Sequence, residues 1–427
     1  MGRAAFRHKA AICVFYFYTA PFPARSGCWP TASAPGRKTR CSFCPKPARR
    51  GGLPGVRRLR LAPPLSHASD DPAEREAVLR FRRGARAGNA MLGLRKDGFA
   101  PDLVCASSSA GGSLYVRDIF PEAFYLVQAD WFYNQGESHC FFNRGRPRPP
   151  ADFAPARVRN LWEYNALGDA DLAVISSEWQ RGQYPEFLAQ RLRVLHSGVD
   201  TAFFSPAPVA GFAGGGLDLA DADELISFSG PLHDTARGFA QFVRCLPRLL
   251  ELRPACHVLV AWPAPESHGG RSGEEARRRE AEALCRCRED LPLPPEARAR
   301  VHLLGPCPLN EYRRMLRAST VHVYLTAPYA LSTGILEAMA CGGLVVGSDT
   351  APVREVLRHG VNGFLCDFWD ARAMAETVAG VAARAPRLAF IGQEARSAVR
   401  RDYDAAAQVE RLRSVVLESM AARNGTA

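Results

Sequence analysis

The sequence predicts an α/β protein made of two domains, each built around a parallel sheet. The first observation is alternation: short apolar segments, such as residues 102–106 and 123–129, alternate with longer helical segments. The second is length, because 427 residues are enough for two domains of ordinary size. The third is the segment 206–216, whose three consecutive glycines are typical of an interdomain linker.

Further apolar segments predict strands in both halves, at 56–61, 171–176, 225–229, 257–261, 301–304, 321–325 and 344–347. The resulting domain organisation has a basic N-terminal segment that is disordered or degraded, a first domain, a linker, a second domain and a C-terminal helix. These parts are expected at 1–52, 53–205, 206–216, 217–394 and 395–427. For the apolar run 10–20, a first strand and a stretch of upstream sequence outside the fold both remain open.

The net charge of +12 belongs to one end of the chain. Residues 1–60 contain 13 basic and no acidic residues, whereas residues 61–427 contain 42 basic and 43 acidic ones. The body is therefore nearly neutral, which argues against a basic nucleic-acid-binding face, and we predict no nucleic-acid partner. The basic N-terminal segment is the part suited to peripheral membrane association, and salt-dependent DNA binding by this segment is the competing interpretation.

The 13 cysteines do not form a metal-binding pattern. Most of them lie within predicted strands or helices, as small apolar residues of a reduced protein do. Cys41 and Cys44 form a single CxxC pair, whereas a structural zinc site needs four ligands. No DxD triad follows a predicted strand, so we predict no bound metal.

Residues 321–370 carry the most functional information. Their pattern is a buried strand, a polar turn, a helix, a glycine stop and a second buried strand. The helix opens on Ser332, Thr333 and Gly334, where free backbone N–H groups and the helix dipole attract phosphate. Glu337 lies one turn deeper, where its carboxylate can accept hydrogen bonds from two ribose hydroxyls. Phosphate and ribose recognition side by side predict a nucleotide site.

Residues 332–337, followed by AMACGGLVV, SDTAPVREV and GVNGFLCDF, resemble the donor-site signature of retaining glycosyltransferases of family 4. This is the group 1 family, whose members have the GT-B fold. SEWQ, beginning at Ser177, and HSGVDTAFF, beginning at His196, resemble the SxWQ and HxGVDTxFF motifs of a bacterial subfamily. The resemblance extends from about residue 53 to 370.

The resemblance implies two Rossmann-like domains facing a cleft, with the C-terminal helix crossing back to the first domain. It implies retaining, metal-independent transfer of a sugar from a UDP- or GDP-sugar to an acceptor hydroxyl, with no other cofactor. A glycan or lipid-linked acceptor, a role in surface polysaccharide or glycan synthesis, and a cytoplasmic location at the inner face of the membrane are the corresponding expectations.

Arg237 occupies the Lys/Arg position that contacts phosphate in the family, and its fork can bind two phosphate oxygens. The alternative for Arg237 is a turn salt bridge with Asp234. Glu337 has the ribose-binding position; the alternative is a solvated helix residue. Ser229, which ends the first predicted strand of the second domain, and Gly230, which follows it, complete the expected donor site.

Three further sets of residues leave alternatives open. Asp130 ends a strand and is expected to hold the acceptor hydroxyl, with Trp131 and Tyr133 either facing the sugar or packing in the core. Trp179, Gln180 and His196 are either site residues or local turn and helix-start residues. Residues 348–350 either contact the donor or cap the following helix.

Two departures from the family pattern favour a competing interpretation, a non-catalytic or truncated relative. Tyr329 stands where the family often has the first of two glutamates separated by seven residues, the one associated with the transferred sugar. The arginine that commonly follows the first strand of the second domain is missing. Its phosphate contact is then absent or made by His233 or Arg237.

Overall fold

The computed structural model describes residues 12–15, 40–43, 56–59, 69–134, 142, 153–208, 211–231, 234–263, 282–287 and 289–425. The chain divides into two compact units. The first comprises Met1–Gly136, Asn143–His196 and Val409–Ala427, and the second comprises Glu137–Phe142 and Ser197–Gln408. His233 lies outside the described residues.

The first unit is built on a seven-stranded sheet in which every pair is parallel. Its strands are β1 (Ile12–Phe15), β2 (Arg40–Phe43), β3 (Val56–Leu59), β4 (Leu103–Ser107), β5 (Phe124–Gln128), β6 (Leu172–Ile175) and β7 (Leu192–Val194). The order across the sheet is β3-β2-β1-β4-β5-β6-β7. Its α-helices are Pro72–Lys96, Val116–Ile119, Ala154–Asp169, Glu178–Arg181 and Glu186–Ala189.

The second unit has a six-stranded parallel sheet and a small antiparallel hairpin. The hairpin strands are β8 (Phe212–Gly214) and β9 (Leu217–Leu219), and the sheet strands are β10 (Leu225–Phe228), β11 (His257–Pro263), β12 (Val301–Cys307), β13 (Val321–Tyr324), β14 (Val345–Ser348) and β15 (Phe364–Cys366). The sheet order is β12-β11-β10-β13-β14-β15. The helices with defined bounds are Phe239–Leu252, Pro295–Arg298, Leu309–Ala318, Thr333–Ala340, Ala351–Arg354, Ala371–Ala382 and Ala389–Asp402.

The central strands of both sheets are covered on both faces. In the second unit, helices 239–252 and 371–382 bury one face, while helices 309–318, 333–340 and 389–402 bury the other. In the first unit, helices 72–96 and 154–169 cover one face of strands β4 to β6. The other face of these strands packs against Leu412, Val416 and Met420 of the last helix, Ala405–Gly425. Burial on both sides explains why strands such as β5 and β6 are mainly apolar runs, as parallel strands are.

The strand order gives each sheet a point where its connections change direction. In the second sheet this point lies between β10 and β13, and in the first it lies between β1 and β4. Open parallel sheets bind ligands beyond the carboxyl ends of the strands at this point. The segments that follow β10 and β13, and the segment that follows β4, are therefore the places to look for ligand-binding residues.

Three sequence expectations differ from the structure. Ile12–Phe15 pairs with β2 and β4, so these residues belong to the sheet; the remainder of the segment 1–52, apart from β2, lies outside the described residues. The expected linker 206–216 contains β8, and the division between units follows His196. The single helix expected over 395–427 is two helices interrupted near Tyr403, and the second begins at Ala405.

No helix within the described ranges combines the length and the apolarity that crossing a bilayer requires.

Candidate functional site

The predicted donor residues of the second unit gather at the point between β10 and β13. The segment after β10 ends in a turn, Thr235–Arg237, and the segment after β13 leads into helix Thr333–Ala340, which we call the motif helix. The N–H of Ala327 donates to the carbonyl of Ala236 at 2.7 Å and joins the two segments directly. The turn and the start of the motif helix therefore form one structure.

Gly238 allows the turn to approach β13 so closely. Its φ of +69° lies in the left-handed region, and a Cβ there would be 2.7 Å from Cβ of Leu325. A side chain is excluded by both the backbone conformation and the lack of space. This glycine also begins helix Phe239–Leu252, so the sequence Arg237-Gly238 fixes the arginine just before a helix.

Arg237 is held by several polar groups at once. Its Nη1 donates to the hydroxyl of Thr326 at 3.0 Å and to that of Tyr324 at 3.4 Å. Its Nε lies 3.6 Å from Oδ2 of Asp234, and its guanidinium carbon is 5.9 Å from the centre of the Tyr329 ring. The predicted contact with Asp234 is therefore present. This salt bridge involves only part of the guanidinium group, because Nη1 is directed to the end of β13.

The motif helix begins beside the same tyrosine. The N–H of Ser332 donates to the Tyr324 hydroxyl at 3.0 Å, and the two hydroxyls of these residues are 3.1 Å apart. Ser332 does not cap the helix with its own side chain. The Ser332 amide, one of the three expected to bind phosphate, therefore already donates to Tyr324. The amides of Thr333 and Gly334 lie in the first turn of the motif helix.

Glu337 lies one turn into the motif helix and is buried, with 5% of its surface exposed. Its Oε1 accepts a hydrogen bond from the Thr333 hydroxyl at 3.0 Å. The alternative of a solvated helix residue is wrong, because Glu337 is buried among apolar neighbours. Its carboxylate remains at the same end of the sheet as Arg237, linked to it through Thr333, Ser332 and Tyr324.

The glycines predicted around the site have distinct positions. Gly230 follows β10, and a Cβ there would lie 3.2 Å from Cβ of Arg237, so Gly230 is packed against this arginine. Ser229 lies between β10 and Gly230 and is half-buried. Gly342, with a φ of +76°, follows the motif helix and ends it, as predicted.

The end of β14 and the residues just after it form hydrogen bonds with the segment that follows β13. The hydroxyls of Ser348 and Thr350 both donate to the carbonyl of Thr326, at 3.0 and 3.1 Å. Neither therefore caps the next helix with its side chain, and Thr350 makes no capping hydrogen bond. Asp349 pairs with Arg354 through two contacts of 2.5 and 2.7 Å, and this pairing lowers the pKa of Asp349.

Asp130 belongs to the first unit and lies just beyond β5. Its N–H donates to the Ser108 hydroxyl at 3.1 Å, and its carbonyl accepts from Gln180 Nε2 at 3.0 Å. Burial raises the pKa of the Asp130 carboxyl, against the opposing effects of the Ser109 hydroxyl and the charge of Arg80. This arrangement gives Gln180 of the SEWQ motif a definite role in holding Asp130.

Trp131 and Tyr133, for which packing in the core and facing the sugar were the two alternatives, differ in their surroundings. Trp131 is 2% exposed and packs in the interior. Tyr133 is half-buried, and its hydroxyl accepts from Arg159 Nη1 at 3.2 Å. Burial lowers the pKa of His196 to about 4, so its imidazole is neutral at pH 7.

Sequence reasoning missed several residues that organise these sites. Tyr324 ends β13 and Thr326 lies two residues further on, and these polar groups at the end of a buried strand were the available signal. Glu163 was not detectable, because it lies in the middle of an ordinary helical pattern, 55 residues from its partner Ser108. Only the three-dimensional structure joins Glu163 to Ser108.

Comparisons with known proteins agree with this architecture. Residues 37–204 match the family described as "Glycosyl transferase family 4 group", and residues 223–384 match "Glycosyl transferases group 1". A comparison with curated protein sequences gives no match.

Several solved structures are similar over nearly the whole chain. Sucrose-phosphate synthase from Thermosynechococcus elongatus aligns with a TM-score of 0.68 and 16% identity, covering 97% of this chain and 100% of the other. HepE from Anabaena, in complex with UDP and glucose, gives 0.63 and 13%, with 95% and 99% covered. An α,α-trehalose-phosphate synthase (UDP-forming) from Burkholderia vietnamiensis gives 0.61 and 14%, with 97% and 99% covered.

The fold is therefore GT-B, as the sequence predicted. The two family matches, which together span about three quarters of the chain, support a group 1 glycosyltransferase.

Proposed function

We propose that this protein transfers a sugar from a nucleotide sugar to an acceptor hydroxyl, with retention of the anomeric configuration. One observation carries the proposal: Arg237 and the N-terminus of the motif helix share the Tyr324 hydroxyl as a partner. A cation and a helix N-terminus together are an anion site, and their place at the carboxyl end of β13 is where parallel sheets bind nucleotides.

The chemistry of transfer explains why these groups suit the role. As the bond between sugar and diphosphate breaks, negative charge develops on the leaving phosphate. Fixed donors stabilise that charge without reorganising, and this is the largest catalytic effect available to such a site. The Arg237 guanidinium and the amides of Thr333 and Gly334 are the donors that we assign to this charge, so no metal ion is required.

Glu337 is assigned to the ribose. Glu337 is a buried carboxylate one turn into the motif helix, and carboxylate oxygens are acceptors of the kind that ribose hydroxyls need. Among the similar structures, HepE is described in complexes with UDP and with UDP-glucose, so a UDP-sugar is the first donor to test.

Asp130 is assigned to the acceptor. Its carboxyl follows β5, beside the Ser108 loop at the change of direction in the first sheet. A carboxylate whose backbone is fixed at both its N–H and its carbonyl can hold an acceptor hydroxyl in a constant orientation. A glycan or lipid-linked acceptor for surface polysaccharide synthesis remains the proposal from the sequence resemblance.

Calorimetric titration of the purified chain with UDP and with GDP tests the donor site. We expect one nucleotide to bind, and Glu337→Gln and Arg237→Ala each to weaken it about ten- to a hundredfold, since each removes a hydrogen bond to or from a charged group. Arg248→Ala is the matched control, because Arg248 is a more exposed arginine that pairs with Glu251. Wild-type protein that binds neither nucleotide would refute the proposal.

Turnover and stereochemistry are tested separately. Release of UDP or GDP from a panel of nucleotide sugars, with and without EDTA, identifies the donor, and we expect EDTA to have no effect. Proton NMR of the product made with an added acceptor shows the anomeric configuration. Inversion, or loss of turnover with EDTA, would contradict the retaining, metal-independent mechanism.

The position of Tyr329 favours a second candidate, a nucleotide-binding relative without transferase activity. Its ring lies against Arg237, where the family often has a glutamate for the transferred sugar. Tight UDP or GDP binding without turnover of any nucleotide sugar, in wild type and in Tyr329→Glu, would support this second candidate over the enzyme.

A further inference from the structure

The first unit contains a buried carboxyl group that the proposed reaction does not use. Glu163 lies in helix Ala154–Asp169 and is 2% exposed. Its Oε1 accepts a hydrogen bond from the Ser108 hydroxyl at 2.6 Å, and its Oε2 accepts one from the Tyr184 hydroxyl at 2.8 Å. Both carboxyl oxygens are therefore fixed by hydroxyl groups from other segments of the chain.

The Ser108 hydroxyl links this acid to Asp130. Its single proton is donated to Glu163, so its lone pairs point elsewhere, and one accepts the N–H of Asp130 at 3.1 Å. Ser108 is fully buried, and no solvent can take over either hydrogen bond. The orientation of the Ser108 hydroxyl, and with it the position of Asp130, thus depends on the Glu163 carboxyl group.

The surrounding backbone supports the same arrangement. Gly111, with a φ of +73°, ends the turn that contains Ser108, and a Cβ on it would be 2.7 Å from the carbonyl oxygen of Arg80. Helix Pro72–Lys96 thus lies directly against the turn. Arg80 Nη1 is buried and has no hydrogen-bond partner among the described residues, while Arg80 Nε contacts Glu76. Burial raises the pKa of both Asp130 and Glu163, and the charge of Arg80 opposes this rise.

We propose that Glu163 is a positioning residue for the acceptor: acting through Ser108, it fixes the backbone of Asp130 and so aims the Asp130 carboxylate. The inference rests on the proposed function, because it assumes the acceptor role of Asp130. Glu163 carries out no chemical step itself. When the group that holds the acceptor is displaced by about 1 Å, turnover falls strongly.

A double-mutant cycle on the full-length chain tests the coupling. We expect Glu163→Met, which removes the acceptor of the Ser108 hydroxyl at similar side-chain volume, and Asp130→Asn each to lower turnover of the nucleotide sugar roughly tenfold or more, with an unchanged KM for the donor. In the Asp130→Asn background, Glu163→Met should have no further effect, because Glu163 acts only through Asp130. Independent, multiplying effects, or full activity of Glu163→Met, would overturn the inference.

Two control variants separate positioning from a general structural role. Tyr184→Phe removes one hydrogen bond to Glu163 but leaves the bond to Ser108, so it should lower turnover less than Ser108→Ala does. Glu186→Gln changes an exposed acid on the neighbouring short helix and should leave turnover unchanged. Equal losses in Tyr184→Phe and Ser108→Ala would indicate a loss of packing instead of a specific relay, against the inference.

Hydrogen exchange provides a readout that does not need activity. In Glu163→Met and in Ser108→Ala, the amide of Asp130 should exchange faster than in wild type, while amides of β5 keep their protection. Unchanged exchange at Asp130 would contradict the positioning role even if the protein had no transferase activity. Failure of the proposed function would appear differently, as wild-type protein that neither binds nucleotide nor turns over a nucleotide sugar.

Discussion

The hydroxyl of Tyr324 accepts a hydrogen bond from the backbone N–H of Ser332 at 3.0 Å. This contact ties the N-cap residue of the motif helix to the end of β13, and the Ser332 side chain makes no capping hydrogen bond of its own. Because Arg237 Nη1 also reaches the same hydroxyl, one phenol determines the spacing between the candidate phosphate-binding cation and the candidate phosphate-binding helix.

Tyr324→Phe is expected to destabilise the second unit and to weaken nucleotide binding. The ring still fills its buried place, but the Ser332 N–H loses its acceptor, which costs about 1–2 kcal/mol of unfolding free energy. Urea denaturation measures this loss, and calorimetry with UDP or GDP measures affinity. Tyr164→Phe, at a partly exposed ring of the first unit, is the control. An unchanged unfolding free energy in Tyr324→Phe would contradict the stabilising role that we assign to this hydrogen bond.

Arg237→Lys distinguishes a planar fork from a simple positive charge. Lysine keeps the charge but cannot contact Thr326 and bind two phosphate oxygens at the same time. We expect Arg237→Lys to bind the nucleoside diphosphate more weakly than wild type and more tightly than Arg237→Ala. If calorimetry shows equal affinities for lysine and wild type, the two-oxygen contact that we assign to Arg237 is wrong.

Much of this fold was predictable, and the reason is the parallel sheet. Strands that are buried on both faces, such as β10 and β13, appear as short apolar runs, and their positions were predicted within a few residues. The signature around Ser332 and Glu337 was also visible, because its residues lie in one short segment. The hydrogen bonds that join Tyr324 to Arg237 span 87 residues, and no local pattern indicates them.

The expectations that differ from the structure have separate physical causes. The glycines of segment 206–216 predict a linker, but Gly215 and Gly216 have positive φ values that a tight hairpin turn between β8 and β9 requires. The helical periodicity continues through Tyr403, yet Tyr403 and Asp404 make backbone contacts with Val199 that interrupt the helix. The glycines therefore form a local turn, whereas at Tyr403 a tertiary contact overrides the local preference for a helix.

Glu163 makes stability depend on pH in a predictable direction. Burial raises its pKa from 4.5 to about 8, with the nearby Asp130 adding to the shift and the Ser108 and Tyr184 hydroxyls opposing it. Between these pH values the folded protein retains a proton that the unfolded chain has released. Stability contributed by this group is therefore present at low pH and is lost as the pH rises towards 8.

Removing the titrating group should flatten this dependence. Between pH 5.5 and 7.5, the unfolding free energy of wild type should fall as the pH rises. In Glu163→Gln the slope of this fall should be smaller by about 1 kcal/mol per pH unit. Urea denaturation at both pH values measures the slopes, with the exposed Glu122→Gln as the control. Parallel slopes for Glu163→Gln and wild type would show that Glu163 ionises normally in the folded protein.

Gly392 and Gly380 form a matched pair of helical glycines with opposite expected effects. A Cβ on Gly392 would lie 2.3 Å from the carbonyl oxygen of Gly342, just beyond the motif helix, whereas a Cβ on Gly380 would meet only the end of the Arg384 side chain at 4.0 Å. Gly392→Ala must push helix Ala389–Asp402 away, at a cost of about 1–3 kcal/mol.

Gly380→Ala should instead stabilise the protein by about 0.5–1 kcal/mol, because alanine loses less backbone entropy in a helix. Denaturant unfolding of both variants gives the comparison directly. If Gly392→Ala proves as stable as Gly380→Ala, the close approach of helix Ala389–Asp402 to Gly342 does not exist in solution. The end of the motif helix would then lack the backbone support that we assign to it.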